Sequence, residues 1–497
     1  MPLPRRHLHH IYCSLNIYTP RAASIPPAGL PVLVWIHGGN FRDGFGGGLL
    51  YNGSVLTQQG MVVVTINYRL GVLGWLFTNA SAADGGITGN YGLQDQRAAL
   101  AFVRDNIAPF GGDPARVTLM GQSAGAMSTA THLVSPASRG LFHAAVLLSE
   151  PFALPFRTVA TALDMGAVVL GHANCSAASG MQGLPSPAAC MRAQSADALL
   201  AAQVRSYPDP NADWAELLQI FMPMCPTMGT QDVPNWPLDS FQGRAGAAPV
   251  MDVPILMGTT SEEGVLFIYS GFRSNVSVLE FELLMEVMLG DEAAKGVAKQ
   301  YPIPAPAPPD ARPIASVVTT ASIFKCANRN ASRVLAASPG RTAPIFACAW
   351  GCPAAAAQPY TPTPYPPNPP TPPLPAHALP DEFSHLVSWA KGMWDANTTE
   401  CYTAVCHGGD LPMWFMPFLE GVTTWTPDED ALGAAMQGYL GSFVGGGAPS
   451  LRGLPAWPPV GGGRVPRMQL DTPAVAVKED PTAAECVLFD EAGYAWY

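Results

Sequence analysis

The sequence is short of several things, and each shortage removes a class of function. Charged side chains make up only 13% of the 497 residues, and the 37 acidic ones outnumber the 26 basic ones, for a net charge of -11. Apart from "RRHLHH" at 5–10 there is no basic cluster. A nucleic-acid surface of the ordinary basic kind is therefore excluded. Long apolar runs are missing too. The longest, such as "MVVVTINY" at 61–68, are too short for a bilayer and read as buried strands. The opening "MPLPRRHLHHIYCSLNIYTP" has no apolar core of a signal peptide, and the closing "DEAGYAWY" is neither a retention signal nor a lipid-anchor tail. No internal repeat is present.

What is there points to a large globular protein. Hydrophobic residues reach 48%, enough for an extensive core. Ten cysteines and six N-x-S/T sequons, at Asn52, Asn79, Asn174, Asn275, Asn330 and Asn397, indicate an oxidising, secretory history. Two β-branched runs, "LPVLVWIHGG" (30–39) and "GMVVVTINYRLG" (60–71), predict central strands covered on both faces. "GLQDQRAALAFVRDNI" (92–107) places Leu93, Arg97, Leu100, Val103 and Ile107 at helical spacing. A third strand follows in "RVTLM" (116–120), and a short one in "VPILMGTT" (253–260). Strand alternating with helix predicts an α/β fold, a mostly parallel central sheet with helices on both faces. Two proline-rich stretches, 302–313 and 353–380, can form neither a helix interior nor a central strand and read as loops, the second as a loop insertion.

The chemistry starts at "VTLMGQSAGAMS" (117–128). A G-x-S-x-G on a strand-to-helix turn is a nucleophile elbow, in which Gly121 and Gly125 leave room for the sharp turn and Ser123 is exposed at a helix N-terminus. A serine needs a base, and its tetrahedral adduct needs donors for the oxyanion. "HGGNF" (37–41) follows the first strong strand, so Gly38 and Gly39, with Ala124, are the expected donors. The base should come late in the chain. Of His377, His385 and His407, the first lies in the proline-rich loop and the second in a helical pattern, which leaves His407 in "CHGGDLPMWF" as best placed. For the acid, Glu262 and Glu263 in "GTTSEEGVLF" both sit at a strand end. Neighbours in extended chain point to opposite faces, so one of the two can reach the histidine, and the residues alone do not say which.

Taken together, "CSLNIYTP", "VLVWIHGGNF", "VVVTINYRLGVLGWL", "GNYGLQDQRAALAFVRDNIAPFGGDPARVTLMGQSAGAMS", "SRGLFHAAVLLS", "GTTSEEG", "CHGGDLPMWF" and "AWPPV" resemble the type-B carboxylesterase and cholinesterase family of α/β-hydrolases, in family order through nearly the whole chain. The resemblance implies one α/β-hydrolase domain over 1–497 that cleaves carboxylic esters through an acyl-enzyme. It implies a Ser123–Glu263–His407 triad, because the family's acid directly precedes a glycine, and an oxyanion hole from Gly38, Gly39 and Ala124. It implies no cofactor and no metal, and as partner a small-molecule ester rather than a nucleic acid or a membrane. The contrasting expectation is a catalytically inactive fragment, or a non-catalytic interaction protein like the family's neuroligins.

The departures from the family carry expectations of their own. Relatives have a long stretch before their "CSLN" equivalent, whereas only twelve residues precede Cys13, so the chain reads as lacking the usual N-terminal segment and, with it, a signal peptide. Gln122 replaces the glutamate that precedes the nucleophile and helps hold a cation, and Glu150 stands where a glycine follows a serine. Cholinesterase activity is therefore not expected. Phe156 is placed by position as an acyl-pocket wall. The resemblance pairs Cys175 with Cys190 and Cys326 with Cys486. Cys401 and Cys406 bracket the approach to His407 and could close a local loop. Cys13, whose family partner is absent, should be a free thiol, while Cys225, Cys348 and Cys352 are left unassigned.

Overall fold

A computed structural model describes residues 14–78, 89–176, 183–207, 222–303, 309–351, 401, 404–415 and 426–494. Cys13, Cys352, Asn79, Asn397, His377, His385 and the stretch 353–380 lie outside the described residues. Two compact units emerge, one of residues 1–147 with 154–254, the other of 148–153 with 255–497.

In the first unit, strand β1 is Leu15–Tyr18, β2 Leu30–Ile36, β3 Val62–Ile66, β4 Gly112–Gln122 and β5 begins at Ala144. β2 lies between β3 and β4 and runs parallel to both, and β1 is antiparallel on the outer side of β3. Every residue of β2 and β3 is buried. That is what continuous Val/Ile/Leu runs predict for strands covered on both faces. Helix α1, Tyr91–Asn106, buries Leu93, Leu100 and Val103. Arg97, read on the same stripe, instead reaches Asp232, and Asp95 takes Arg69 in a bidentate pair at 2.8 Å to each oxygen. Helix α2, Ala124–Val134, is buried on all sides. Its hydroxyls survive there because Ser128, Thr129 and Thr131 each donate to the carbonyl four residues back.

In the second unit, β6 is Ile255–Thr260, β7 Ile345–Trp350, β8 Arg467–Leu470 and β9 Ala476–Lys478. The first three run parallel and β9 closes the edge antiparallel to β8. Helix α3 is Glu263–Gly271, α4 Arg312–Thr319 and α5 Cys326–Ala336. Between α4 and α5 the chain passes through a π-helical segment, Thr320–Lys325. Pro313, read as loop, sits in the first turn of α4, where a missing N–H costs nothing. Helix α6 is Leu411–Phe415, α7 Pro427–Gly446 and α8 Ala483–Ala492. A reciprocal cap between Thr426 and Glu429 starts α7.

The structure holds the disulfides Cys175–Cys190, Cys326–Cys486 and Cys401–Cys406, while Cys225 and Cys348 are buried free thiols. Cys348 lies within β7. The 160-residue loop closed by Cys326–Cys486 ties α5 to α8; on a chain-entropy account that link contributes about 5 kcal/mol. Arg329 of α5 adds a fork to Asp480, just before α8, at 2.7 and 2.8 Å, and reaches Asp490 within α8 at 3.1 Å. Among the described residues no helix is long and apolar enough to cross a membrane.

Candidate active site

Ser123 is held in a conformation its own side chain disfavours, φ 56° and ψ -125°, between the end of β4 and the start of α2. Steric closeness on either side enforces it. A Cβ on Gly121 would lie 2.1 Å from the Gly125 carbonyl oxygen, and one on Gly125 would lie 2.1 Å from that of Ile36 at the end of β2. No side chain fits at either place. The turn puts Ala124 at the first position of α2, where helix N–H groups have no intrahelical acceptor and the dipole favours an anion. Ser123 itself, expected to be exposed, is buried with 7% exposure because the neighbouring backbones close in on it.

The loop after β2 is built against this turn. A Cβ on Gly38 would meet the Gln122 side-chain oxygen at 2.6 Å and the Ser123 Cβ at 3.1 Å, so the Gly-Gly backbone runs directly alongside the serine. Gly39, Asn40 and Phe41 all have positive φ, a run that strains two non-glycine residues. It is pinned at both ends. The Gly39 carbonyl accepts from the amides of Arg42 and Asp43, and the Phe41 carbonyl from the Gly71 amide and the Trp75 indole. His37, directly before the glycine pair, anchors this loop. Its Nδ1 is 2.8 Å from the Gly38 carbonyl, which can only accept, so the proton must be on Nδ1. Burial holds this imidazole down to about 4, hence neutral, and Tyr68 stacks on the ring while donating its hydroxyl to the His37 carbonyl. Because a peptide is planar and trans, fixing the Gly38 carbonyl fixes the opposite-facing N–H of Gly39. Phe156 is buried, edge-on to Phe41 at 6.2 Å.

In the second unit, Glu263 and His407 meet. His407 Nδ1 is 2.6 Å from Glu263 Oε2, with both side chains fully buried. The other carboxylate oxygen, Oε1, accepts the Thr260 amide at 2.7 Å. Glu263 is the first residue of α3, not part of an extended strand end, so the alternation argument for choosing between the two glutamates does not apply. Each glutamate instead has its own target. Glu263 holds the histidine ring, and Glu262 Oε2 accepts the Val405 amide at 2.6 Å. His407 sits in a tight turn closed by the Gly409 amide donating to the Cys406 carbonyl, just before α6. Phe267 of α3 and Phe324 of the π-helical segment wall the imidazole at 4.8 and 5.3 Å between ring centres. With its Nδ1–H given to a carboxylate, the ring keeps a lone pair on Nε2, the arrangement of a general base.

Two further acids of this unit are buried, the first close to His407 in sequence. Asp410, three residues on, accepts the Trp414 indole at 2.9 Å, and burial, reinforced by the charge of Glu263, pushes it up to about 6. Glu150 is fully buried, which raises it well above the carboxylate range, and its carbonyl accepts the Asn328 side-chain amide at 2.6 Å. Of the sequons, Asn275 is exposed, whereas Asn330 lies inside α5 and donates its amide to Asp490 at 3.0 Å. The described residues contain no cluster able to hold a metal ion.

Known proteins resemble this chain along much of its length. The cAMP-regulated D2 protein of Dictyostelium discoideum is 34% identical over 318 residues, 63% of this chain and 54% of that protein. The para-nitrobenzyl esterase of Bacillus subtilis (strain 168) is 36% identical over 304 residues, 60% of this chain and 56% of that protein. The matched stretch thus spans about half the length of these relatives. Among solved structures, a thermophilic PNB esterase superposes over 96% of this chain and 83% of its own with a TM-score of 0.68 and 26% identity, which makes the fold that of the α/β-hydrolases. The carboxylesterase family model matches residues 13–489, and the chain belongs to the carboxylesterase family.

Proposed function

We propose that the protein is a serine hydrolase cleaving carboxylic esters through an acyl-enzyme, within one α/β-hydrolase domain. His407 Nε2 takes the proton of Ser123 as its Oγ attacks the ester carbonyl. The resulting oxyanion is held by the N–H groups of Gly38, Gly39 and Ala124. The C–O bond to the alcohol breaks as the imidazolium returns the proton to it, leaving the acyl group on Ser123. Water, deprotonated by the same base, then releases the acid and restores the serine. Glu263 fixes the imidazole tautomer and stabilises its charge. The observation that carries this reading is the 2.6 Å bond between Glu263 and His407, fully buried, in a chain whose serine is forced into an elbow.

Membership of the family and esterase relatives support the activity class. Three disulfides and the exposed Asn275 sequon support passage through an oxidising secretory compartment. The test uses p-nitrophenyl butyrate and an organophosphonate. A burst of p-nitrophenol stoichiometric with protein, and a phosphonyl adduct on the Ser123 peptide, are expected. An adduct that persists in Ser123→Ala would overturn the assignment.

A further inference from the structure

The geometry points to Glu262 as a positioning residue for the base: through its backbone and its side chain together it sets the register of the loop that carries His407. The inference rests on the hydrolase reading above. Two hydrogen bonds link residue 262 to residue 405. The Val405 amide donates to Glu262 Oε2 at 2.6 Å, and the Glu262 amide donates to the Val405 carbonyl at 3.2 Å. One residue on from Glu262 and two on from Val405, Glu263 grips the His407 ring. The base is therefore held by adjacent carboxylates at two levels, backbone and imidazole.

The loop needs this. His407 follows the short disulfide loop Cys401–Cys406, whose ends are 5 apart in sequence, and precedes a turn at Gly408 and Gly409 with no regular structure of its own. A disulfide limits how far the chain can stray but leaves torsions on both sides of the sulfurs. The bidirectional pairing at Val405 removes the remaining slack one residue before Cys406. A shift of about 1 Å at the base can lower turnover by two orders of magnitude. The acceptor must also be long. Glu262 is the cap residue immediately before α3, at φ -134° and ψ 46°, so its side chain has to reach across to the loop. Burial raises this carboxyl, opposed by the Val405 hydrogen bond and the charge of Lys325, so the contact is made in a partly desolvated place where a lost partner is costly.

The role demands an acceptor of glutamate length rather than a negative charge, which separates three substitutions. Glu262→Gln keeps a carbonyl oxygen at the same reach and should stay within about threefold of the wild-type kcat for p-nitrophenyl butyrate. Glu262→Ala and Glu262→Asp should each lose about 10- to 100-fold in kcat with KM little changed, because only the base is displaced. Thermal melts and an unchanged far-ultraviolet circular dichroism spectrum show that the fold survives. Should Glu262→Ala fail to fold, Glu262→Asp carries the same test. Wild-type turnover in Glu262→Ala or Glu262→Asp would overturn the role, as would a Gln variant as impaired as Ala. Glu263→Gln and His407→Ala run alongside. If those two keep full activity, the hydrolase reading itself falls; if they lose it and the Glu262 variants do not, only the role of Glu262 falls.

Discussion

The two units hold their reactive groups by different means. Around Ser123 the constraint is steric and lies in the backbone: glycines at 121 and 125 that admit no Cβ, and a run of positive φ from Gly39 to Phe41. Around His407 the constraint is polar and lies in side chains: Glu263 on the ring, Glu262 on the loop, a disulfide one residue before the base. The contrast is chemically sensible. A nucleophile with its oxyanion donors must be rigid before substrate arrives, and strain locked into a packed sheet gives that rigidity. A base must change charge during the reaction, which requires a partner that stabilises both forms.

The largest effects should come from removing the groups themselves. Ser123→Ala and His407→Ala should each lower kcat by about 10⁴-fold or more, and Glu263→Gln by about 10³- to 10⁴-fold, all with melting temperatures near wild type. Next come the glycines, which should break the comparison from the other side. Gly121→Ala or Gly125→Ala places a methyl group 2.1 Å from a backbone oxygen; urea titration should show a loss of about 3 kcal/mol or more, together with lost activity. Changes at the elbow glycines thus lower stability and activity together, while changes at Ser123, Glu263 and His407 lower activity alone.

A smaller effect lies in the pH dependence of stability, and its sign differs between the units. His37 in the first unit titrates near 4 when folded and near the ordinary 6.5 when unfolded, so the unfolded chain binds more protons between those values and stability falls as pH drops through that window. Asp410 in the second unit is raised from 3.8 to about 6, so the folded chain binds more protons there and stability falls as pH rises. His37→Asn keeps a donor toward the Gly38 carbonyl and removes the titration. It should make the acid-side loss shallower by about 3 kcal/mol, measured by urea unfolding at pH 6.5 and 4. The smallest effect concerns glycans: in a secreting host Asn275→Gln should lower the mass by one glycan, and Asn330→Gln should leave it unchanged.

Much of the first unit was legible in the sequence, because its signals are local. β-Branched runs bounded by glycine mark β2 and β3, and the elbow glycines sit within two residues of the serine they shape. The second unit was harder to read. The last strands, β8 and β9, are only four and three residues long, too short for periodicity to register. The choice between Glu262 and Glu263 could not be derived from extended-chain geometry, since a helix begins there. It was settled at the sequence level by resemblance alone. Asp410 and the Phe267 and Phe324 walls carried no pattern of their own, because what gathers them is contact between α3, the π-helical segment and the loop before α6. The role of His37 does have a signal in the sequence, an imidazole directly before the glycine pair.

The central claim of the proposal is that Ser123 and His407 share one proton transfer. A double-mutant cycle on kcat for p-nitrophenyl butyrate tests it most directly, using Ser123→Ala, His407→Ala and the pair combined. If the two groups share one proton transfer, the double variant is no slower than the slower single variant, since either loss already disables the step. If the two losses multiply, each residue acts independently of the other, and the account is contradicted.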